Sequence, residues 1–521
     1  MKKNCQKLIL MLVVSVSLAV MLLVVSKNAS GATPKYVFGT LQNAPSHLVQ
    51  NYNAGMRRAV LELSWSSYFP SEGAKDNNYI NSMKSLIQTY KNDGYDVMLD
   101  FGLQYAPSWV FNYTDSRFKD QFGDTFSGGA GESVVNAVFN NVMRQKQETY
   151  VQQVFADLGT DFACVKIGWL RYGELGYPQN NYNGHSNTYW GYDNVAQNGG
   201  ANLPAGITSC PVLGWLPGQT STNHNNAKNF YNWYIGALTN YQNWMITTTR
   251  KYYQGQLCVM YPSWGTRPGS VNAAINVDLK GSTSPEINGE IQRAHDFQTL
   301  VGAITDPNVM VYCTWIDSDE GWSNDASSNS VDWSPVHYLA NLAQTHSPAL
   351  AVGGENTGGA NATLLDLTFR RLNAYNLKLL MWAFDSQLYG GTYINIIQLG
   401  NYITTYQQYS YALTVKTIDN ADAEQVELTT GCALVSYPNP FNSGTVLNYY
   451  IPVTGNVSLK VYNVLGSEVG TLAGGVMKAG SYRATFDGSR FESGIFFARL
   501  IVTSQDVSKP FVQTLKLMKV K

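Results

Sequence analysis

Two glutamates have the setting that chemistry would need. In residues 162–178 (FACVKIGWLRYGELGYP), Val165, Ile167 and Trp169 alternate with smaller or polar residues and run into Gly173-Glu174-Leu175-Gly176. Alternation of this kind argues a buried strand, and glycines end it. Glu174 therefore lies just past a strand's C-terminal end. Residues 349–358 (ALAVGGENTG) repeat the figure, with Gly353-Gly354 leading to Glu355, Asn356 and another glycine. Cleavage of a glycosidic bond needs one carboxylic acid to protonate the leaving oxygen and a second carboxylate across the anomeric carbon. Two strand-end glutamates are the residue types that this pair of roles requires. Glu174 should hold its proton more tightly while Glu355 is ionised, because two adjacent negative charges are unfavourable. The plainer alternative is that each glutamate is a solvated loop charge.

The elements around the two glutamates follow a regular order. Strands are expected at 36–41, 56–65, 96–101, the Glu174 run, 256–264, 309–315, the Glu355 run and 377–384. Helices are expected at 80–91, 134–158, 227–253, 290–304, 335–345 and 364–375. Strand–helix–strand spacing favours parallel pairing with right-handed crossovers. Eight such strands predict an α/β fold, a (β/α)8 TIM barrel, whose active site lies at the strands' C-terminal ends. Glu174 then ends strand four and Glu355 strand seven. Residues 179–226, rich in Asn, Gly, Tyr and Trp, form a long irregular segment. Its aromatics Tyr182, Tyr189, Trp190, Tyr192 and Trp215 predict an ordered cover beside the site.

Further site candidates follow from the strand ends. Trp264, Trp315 and Trp382 sit at or near the ends of strands five, six and eight and are candidates for stacking on a sugar face; core packing is the alternative for each. Asp317 and Asp385 follow strands six and eight, and Asn356 follows Glu355, as candidates for binding substrate hydroxyls. Glu62 shares a strand face with Arg58, which predicts a buried ion pair beneath the site. Arg171 could tune Glu174.

Composition narrows the classes. The formal net charge is -1 with no basic run, which argues against nucleic acid as a partner. Charged residues make up 14% against a typical quarter, while the chain holds 34 Tyr and 12 Trp. This is a large core, or a groove for flat, neutral, hydroxyl-rich ligands such as oligo- or polysaccharides. With no CxxC, no HExxH and only six His, neither a metal site nor a cofactor is expected. Cys164, Cys258 and Cys313 lie in apolar strand-like runs and read as buried free thiols, whereas Cys210 and Cys432 lie in loop-like sequence.

The two ends of the chain point to export. Lys2, Lys3 and Lys7 precede an apolar run and then small residues at 29–32, the pattern of a signal peptide over 1–32. The composition shifts near 416–432. Beyond it, short strands with glycine turns at 448–451, 457–462, 481–486 and 494–501 predict a small all-β sandwich over 433–521, set apart from a catalytic domain over 33–425.

Two resemblances add to these readings. The motifs YPNPFN at 437–442, VYNVLG at 461–466 and GIFFA at 494–498, with a Lys-rich end at 516–521, resemble the sorting domain of the type IX secretion system. This implies passage through periplasm and outer membrane, with the secretion machinery as partner and a secreted or cell-surface location. The barrel resembles the retaining glycoside hydrolases built on (β/α)8 barrels, in particular the β-galactosidase-like members, through residues 61–65, Pro-Ser-Glu-Gly at 70–73 and Ala-Pro-Ser-Trp at 106–109. In that clan the acid/base glutamate ends strand four and the nucleophile strand seven, which implies those roles for Glu174 and Glu355. Its covalent intermediate would also admit transfer to a sugar in place of water. The clan usually has Asn before the acid/base glutamate; this chain has Gly173. Residues 173–178 (GELGYP) and Glu355-Asn356 are also similar to the carboxylate stretches of β-amylases, which invert. A secreted carbohydrate-binding barrel without catalysis is the non-enzyme alternative.

Overall fold

The computed structural model describes residues 35–129, 133–168, 173–281, 285–407, 433–437, 441–451, 453–478, 480–504 and 510–520. The apolar N-terminal run, Trp169, Arg171, Cys5 and Cys432 lie outside them, so the readings made there stay with the sequence. The chain divides into two compact units, Met1–Leu413 and Thr414–Lys521.

The first unit is a closed barrel of eight parallel strands in sequence order: β1 (Val37–Thr40), β2 (Arg58–Glu62), β3 (Asp96–Asp100), β4 (Cys164–Ile167), β5 (Gln256–Tyr261), β6 (Val309–Cys313), β7 (Ala351–Glu355) and β8 (Leu379–Trp382). Side chains of a strand alternate between faces, and this sorts each strand's residues into two cores. Leu61, Leu99, Val165, Ile167, Val259, Val311 and Leu380 point outward and are buried with the helices. Val60, Met98, Cys164, Cys258, Met260, Met310, Tyr312, Leu379 and Met381 fill the inside of the barrel. Each fully buried aliphatic side chain of the outer layer contributes about 1.5–3 kcal/mol.

Helix ends are set by capping side chains. Asp76 accepts from the backbone N–H of Asn78 and Tyr79 and starts the helix Asn77–Asn92. Asn140 does the same at Val142 and Met143. The helix Asn141–Leu158 therefore begins seven residues later than the expected 134. A second correction bears on the site. The expected helix over 290–304 is two helices, Pro285–Gln292 and Phe297–Gly302, separated by a turn in which Ala294 has φ +55°. Strand two is shorter than expected because Ser64 caps a helical turn, Trp65–Tyr68.

Most of the aromatic content is core. Trp65 stacks on Tyr150 at 5.6 Å, and Tyr177 on Tyr234 at 3.8 Å. The aromatics of 179–226 behave likewise. Tyr189, Tyr192 and Trp215 pack on Phe230 of the long helix Asn225–Arg250, and the Trp190 amide donates to the Tyr234 hydroxyl. None of these aromatics lines the cavity at the C-terminal end of the barrel. Cys164, Cys210, Cys258 and Cys313 are buried and unpaired.

The second unit holds seven described strands in two antiparallel sheets. One has the order β13 (Gly480–Asp487), β10 (Gly444–Ile451), β9 (Ala433–Tyr437). The other runs β12 (Glu468–Met477), β11 (Gly455–Asn463), β14 (Gly494–Thr503), β15 (Phe511–Lys519). Period-two burial along β14 turns Phe496, Ala498, Leu500 and Val502 inward onto Leu447, Ile451 and Leu459.

Because the two units have separate hydrophobic cores, a fragment of residues 33–425 should unfold cooperatively by itself. Calorimetry of the fragment should reproduce the barrel's transition from the full chain; a broad, non-cooperative transition in the fragment alone would show that the division is wrong.

Candidate active site

At the C-terminal end of the barrel, Glu62, Asp100 and Lys166 are register partners on β2, β3 and β4. They form one row of inward-facing charges. Two layers lower, Arg58 donates to the Cys164 sulfur at 3.2 Å and lies 3.8 Å from Asp96. The expected Arg58–Glu62 ion pair is absent, since four residues of strand separate them by about 13 Å. The cation of the upper row is Lys166: its Nζ lies 2.7 Å from Asp100 Oδ2, and both residues are buried. Asp100 Oδ1 accepts from the Gly102 N–H.

Glu355 is the last residue of β7. The Tyr312 hydroxyl, from β6, donates to its Oε2 at 2.6 Å. The Glu355 carbonyl accepts from the Ile316 N–H. Glu174 follows β4 on a loop pinned at both sides: Leu175 N–H donates to the Met260 carbonyl, and Tyr177 N–H to the Arg293 carbonyl. The Arg293 guanidinium lies 3.8 Å from Glu174 Oε2. Both glutamates, together with Glu62, Asp100 and Lys166, line one cavity of about 620 Å³, a volume within the usual range for small-molecule sites.

Charge crowding shifts these groups. Burial pushes the Glu355 carboxyl up to about 7; Lys166 and the Tyr312 hydrogen bond hold it down, while Glu174 and Asp100 add to the rise. Burial also raises Glu62, helped by Asp100 and opposed by Tyr105, Lys166 and Gln104. For Lys166, burial works against the ammonium. The carboxylates of Asp100, Glu355 and Glu62 outweigh it and raise its proton affinity.

The glycine before Glu174 follows from this lysine. Gly173 has φ +69°, and a Cβ there would lie 3.3 Å from Lys166 Nζ and 3.4 Å from its Cε. A side chain at 173 would be strained and would press on the buried ammonium.

The other candidates separate into two groups. Trp315 and Asn356 line the cavity. Asn356 Oδ1 accepts from the Ala383 N–H, and its buried Nδ2 has no partner among the described residues. Trp264 is not a lining residue; it meets Trp315 edge-on at 6.2 Å under the Arg267 guanidinium. Trp382 is packed in the core at 2% exposure. Asp317 is buried behind β7, accepting from Thr357 N–H and hydroxyl, and so ties down the turn after Glu355. Asp385 accepts from Asn51 Nδ2 and the Ala44 N–H and lies 2.8 Å from His47 Nδ1, which ties strand eight's loop to that of strand one. Lining residues that sequence reasoning passed over include Asp100, Lys166, Gln104, Tyr105, Ser263 and Phe384.

Burial of a carboxyl whose proton affinity is raised weakens the fold above its unfolded range. With Glu355 at about 7 in the fold against 4.5 unfolded, stability falls as pH rises from 4.5 to 7 and then levels. Glu355→Gln should therefore be more stable than the parent at pH 8, by about 3 kcal/mol, with the gain fading towards pH 4.5. Thermal melts across this range check it; an equal effect at all pH values would refute the assignment.

The C-terminal strands match the secretion system C-terminal sorting domain over residues 435–513. No curated protein matches the sequence. Among solved structures, the catalytic domain of β-amylase from Paenibacillus polymyxa matches with TM-score 0.52 and 13% identity, covering 71% of this chain and 97% of that one. A β-galactosidase from the psychrophilic Marinomonas ef1 gives 0.45 and 13%, covering 71% and 59%. The endo-β-1,4-mannanase from Thermotoga petrophila gives 0.38 and 10%, covering 94% and 99%. At these identities the likeness is one of fold. Residues 435–513 are thus a secretion system C-terminal sorting domain, carried behind a (β/α)8 barrel of the fold seen in glycoside hydrolases.

Proposed function

We propose that the barrel is a secreted glycoside hydrolase that cleaves a neutral oligo- or polysaccharide with Glu174 as general acid/base and Glu355 as nucleophile, retaining configuration. The observation that carries this reading is the convergence of two glutamates, one on the loop after β4 and one at the end of β7, on one cavity. The charges around it favour a neutral substrate. Four carboxylates face the cavity, Lys166 is committed to Asp100, and Arg293 stands beside Glu174. A uronic acid or a sulfated sugar would add repulsion. Trp315 and Phe384 offer apolar surface to the C–H faces of sugar rings.

In the first step the ionised Glu355 oxygen attacks the anomeric carbon. The bond to the leaving oxygen breaks, and that oxygen takes the proton of Glu174. In the second, Glu174 accepts a proton from water, the water oxygen attacks the same carbon, and the bond to Glu355 breaks. Lys166 and the Tyr312 hydroxyl favour the ionised form of Glu355, which serves it both as attacking group and as leaving group. The C-terminal domain, with the signal-like N-terminus, fits delivery to the cell surface or beyond by the type IX machinery.

An aryl glycoside panel with the product's configuration read by NMR tests the reaction. Glu174→Ala and Glu355→Gly should each lower turnover on natural substrates on the order of a thousandfold or more with the fold intact. Azide should rescue Glu355→Gly with inverted configuration and Glu174→Ala with retained configuration. Inversion by the parent chain would replace this mechanism with a β-amylase-like one, in keeping with the likeness to that barrel.

The pH profile carries a separate test. Since the ionised form of Glu355 reacts, kcat/KM should rise through pH 7. Tyr312→Phe removes a group that favours ionisation, and Lys166→Met removes another, so both should move the acid limb to higher pH. A limb that stays in place in both variants would remove Glu355 as its source.

A further inference from the structure

One cavity-lining residue is held by an apparatus that the two-glutamate mechanism does not use. Just beyond β5, Ser263 adopts the left-handed backbone region, φ +64°. This is a strained conformation for a residue other than glycine, and such strain gathers at functional sites. Its side chain lines the cavity. Its hydroxyl donates to Glu290 Oε1. Glu290 Oε2 accepts from the Gly265 N–H and from His295 Nδ1, each at 2.8 Å.

The protonation states follow from these contacts. Burial would raise Glu290, but His295, the Ser263 hydroxyl and Arg293 overcome it and hold its carboxyl below the usual range. His295 is fully buried, and burial and Arg293 lower its proton affinity against the pull of Glu290. A ring proton on Nδ1 faces Glu290 Oε2. Its Nε2 has no hydrogen-bond partner among the described residues and abuts Gly176, where a Cβ would lie 2.4 Å away. An ionised carboxylate only accepts hydrogen bonds, so the Ser263 proton is committed to Glu290. The serine then shows the cavity only lone pairs. This is not a nucleophile's arrangement: the carboxylate stands between serine and histidine, and its depressed proton affinity makes it a poor base.

The same turn also holds the acid. Residues 290–295 give Glu290 to Ser263, the Arg293 carbonyl to Tyr177 N–H, the Arg293 guanidinium to the neighbourhood of Glu174, and the His295 ring to the back of Gly176. The distance from Ser263 to the Glu174 loop is thereby fixed by one rigid turn.

We propose that Ser263 Oγ accepts a hydrogen bond from one hydroxyl of the sugar bound beside Glu174, and that Glu290 and His295 are positioning residues that hold its proton away from the cavity. This rests on the hydrolase reading and adds a specificity contact to it.

The test uses the full chain, one aryl glycoside that it cleaves, and the set of monodeoxy analogues of that glycoside. Ser263→Gly removes the hydroxyl and relieves the backbone, so its melting temperature should lie above that of Ser263→Ala, which loses the same hydrogen bond and keeps the strain. Its kcat/KM on the parent sugar should drop about tenfold or more. One deoxy analogue, and only one, should then lose the penalty it suffers with the unaltered protein. Ser263→Ala should show the same lost penalty with a lower melting temperature, and Glu290→Gln should weaken that penalty with a fold intact by circular dichroism. Deoxy penalties that are all unchanged in Ser263→Gly and Ser263→Ala overturn this inference and leave the hydrolase reading standing. Failure of the unaltered chain to cleave any glycoside overturns both.

Discussion

A single buried ammonium, Lys166, holds the site's charge together. Carboxylates from β2, β3, β7 and the loop after β4 converge on a space of about 620 Å³. Without a cation these groups could not all be ionised there, because each buried charge raises the proton affinity of the next. Lys166 stands in the middle of this set, paired to Asp100 and within electrostatic reach of Glu62 and Glu355. The consequence reaches the backbone. The ammonium occupies the space next to residue 173, and the chain there is glycine in a left-handed turn. The lysine and the glycine are one structural decision: any side chain at 173 would compete with the charge that the site needs.

The barrel makes this row possible through strand register. Parallel pairing sets Glu62, Asp100 and Lys166 side by side. The layers beneath are filled by Met98, Met260, Met310, Met381 and two thiols. These soft, unbranched side chains fill an irregular interior without adding charge and separate the row at the open end from Arg58 and Asp96 at the other. The loops then add what strands cannot. Asp317 holds the turn after Glu355, and the turn at 290–295 holds the loop of Glu174.

The sequence made the scaffold legible and the supporting groups much less so. Eight strands were readable from β-type runs between helical spacings, and the two glutamates from glycines at two strand ends. Lys166 left a signal that was available: with Val165 and Ile167 facing the helices, period two forces it inward. Asp100, at the end of β3, obeyed the same rule. The aromatic richness misled, because Tyr and Trp were spent mainly on packing the helix layer. Tyr189, Tyr192 and Trp215 rest on Phe230, and Trp382 is fully in the core. Ser263, Glu290 and His295 were not readable at all. Their meeting depends on a break inside what looked like one helix, where Ala294 turns left-handed against its propensity. Tertiary contacts with β5 and the Glu174 loop decide that break, and no local pattern records them.

Glu355 shows how the fold and the reaction pull apart. The fold alone would prefer this buried side chain neutral, and burial accordingly raises its carboxyl to about 7. The proposed reaction needs it charged. Lys166 and Tyr312 resolve the conflict only in part, since each favours the ion while Glu174 and Asp100 oppose it. A carboxylate balanced near neutrality and destabilising to the fold is the state that this arrangement of charges maintains, and it is the state that the proposed bond-forming and bond-releasing role would use.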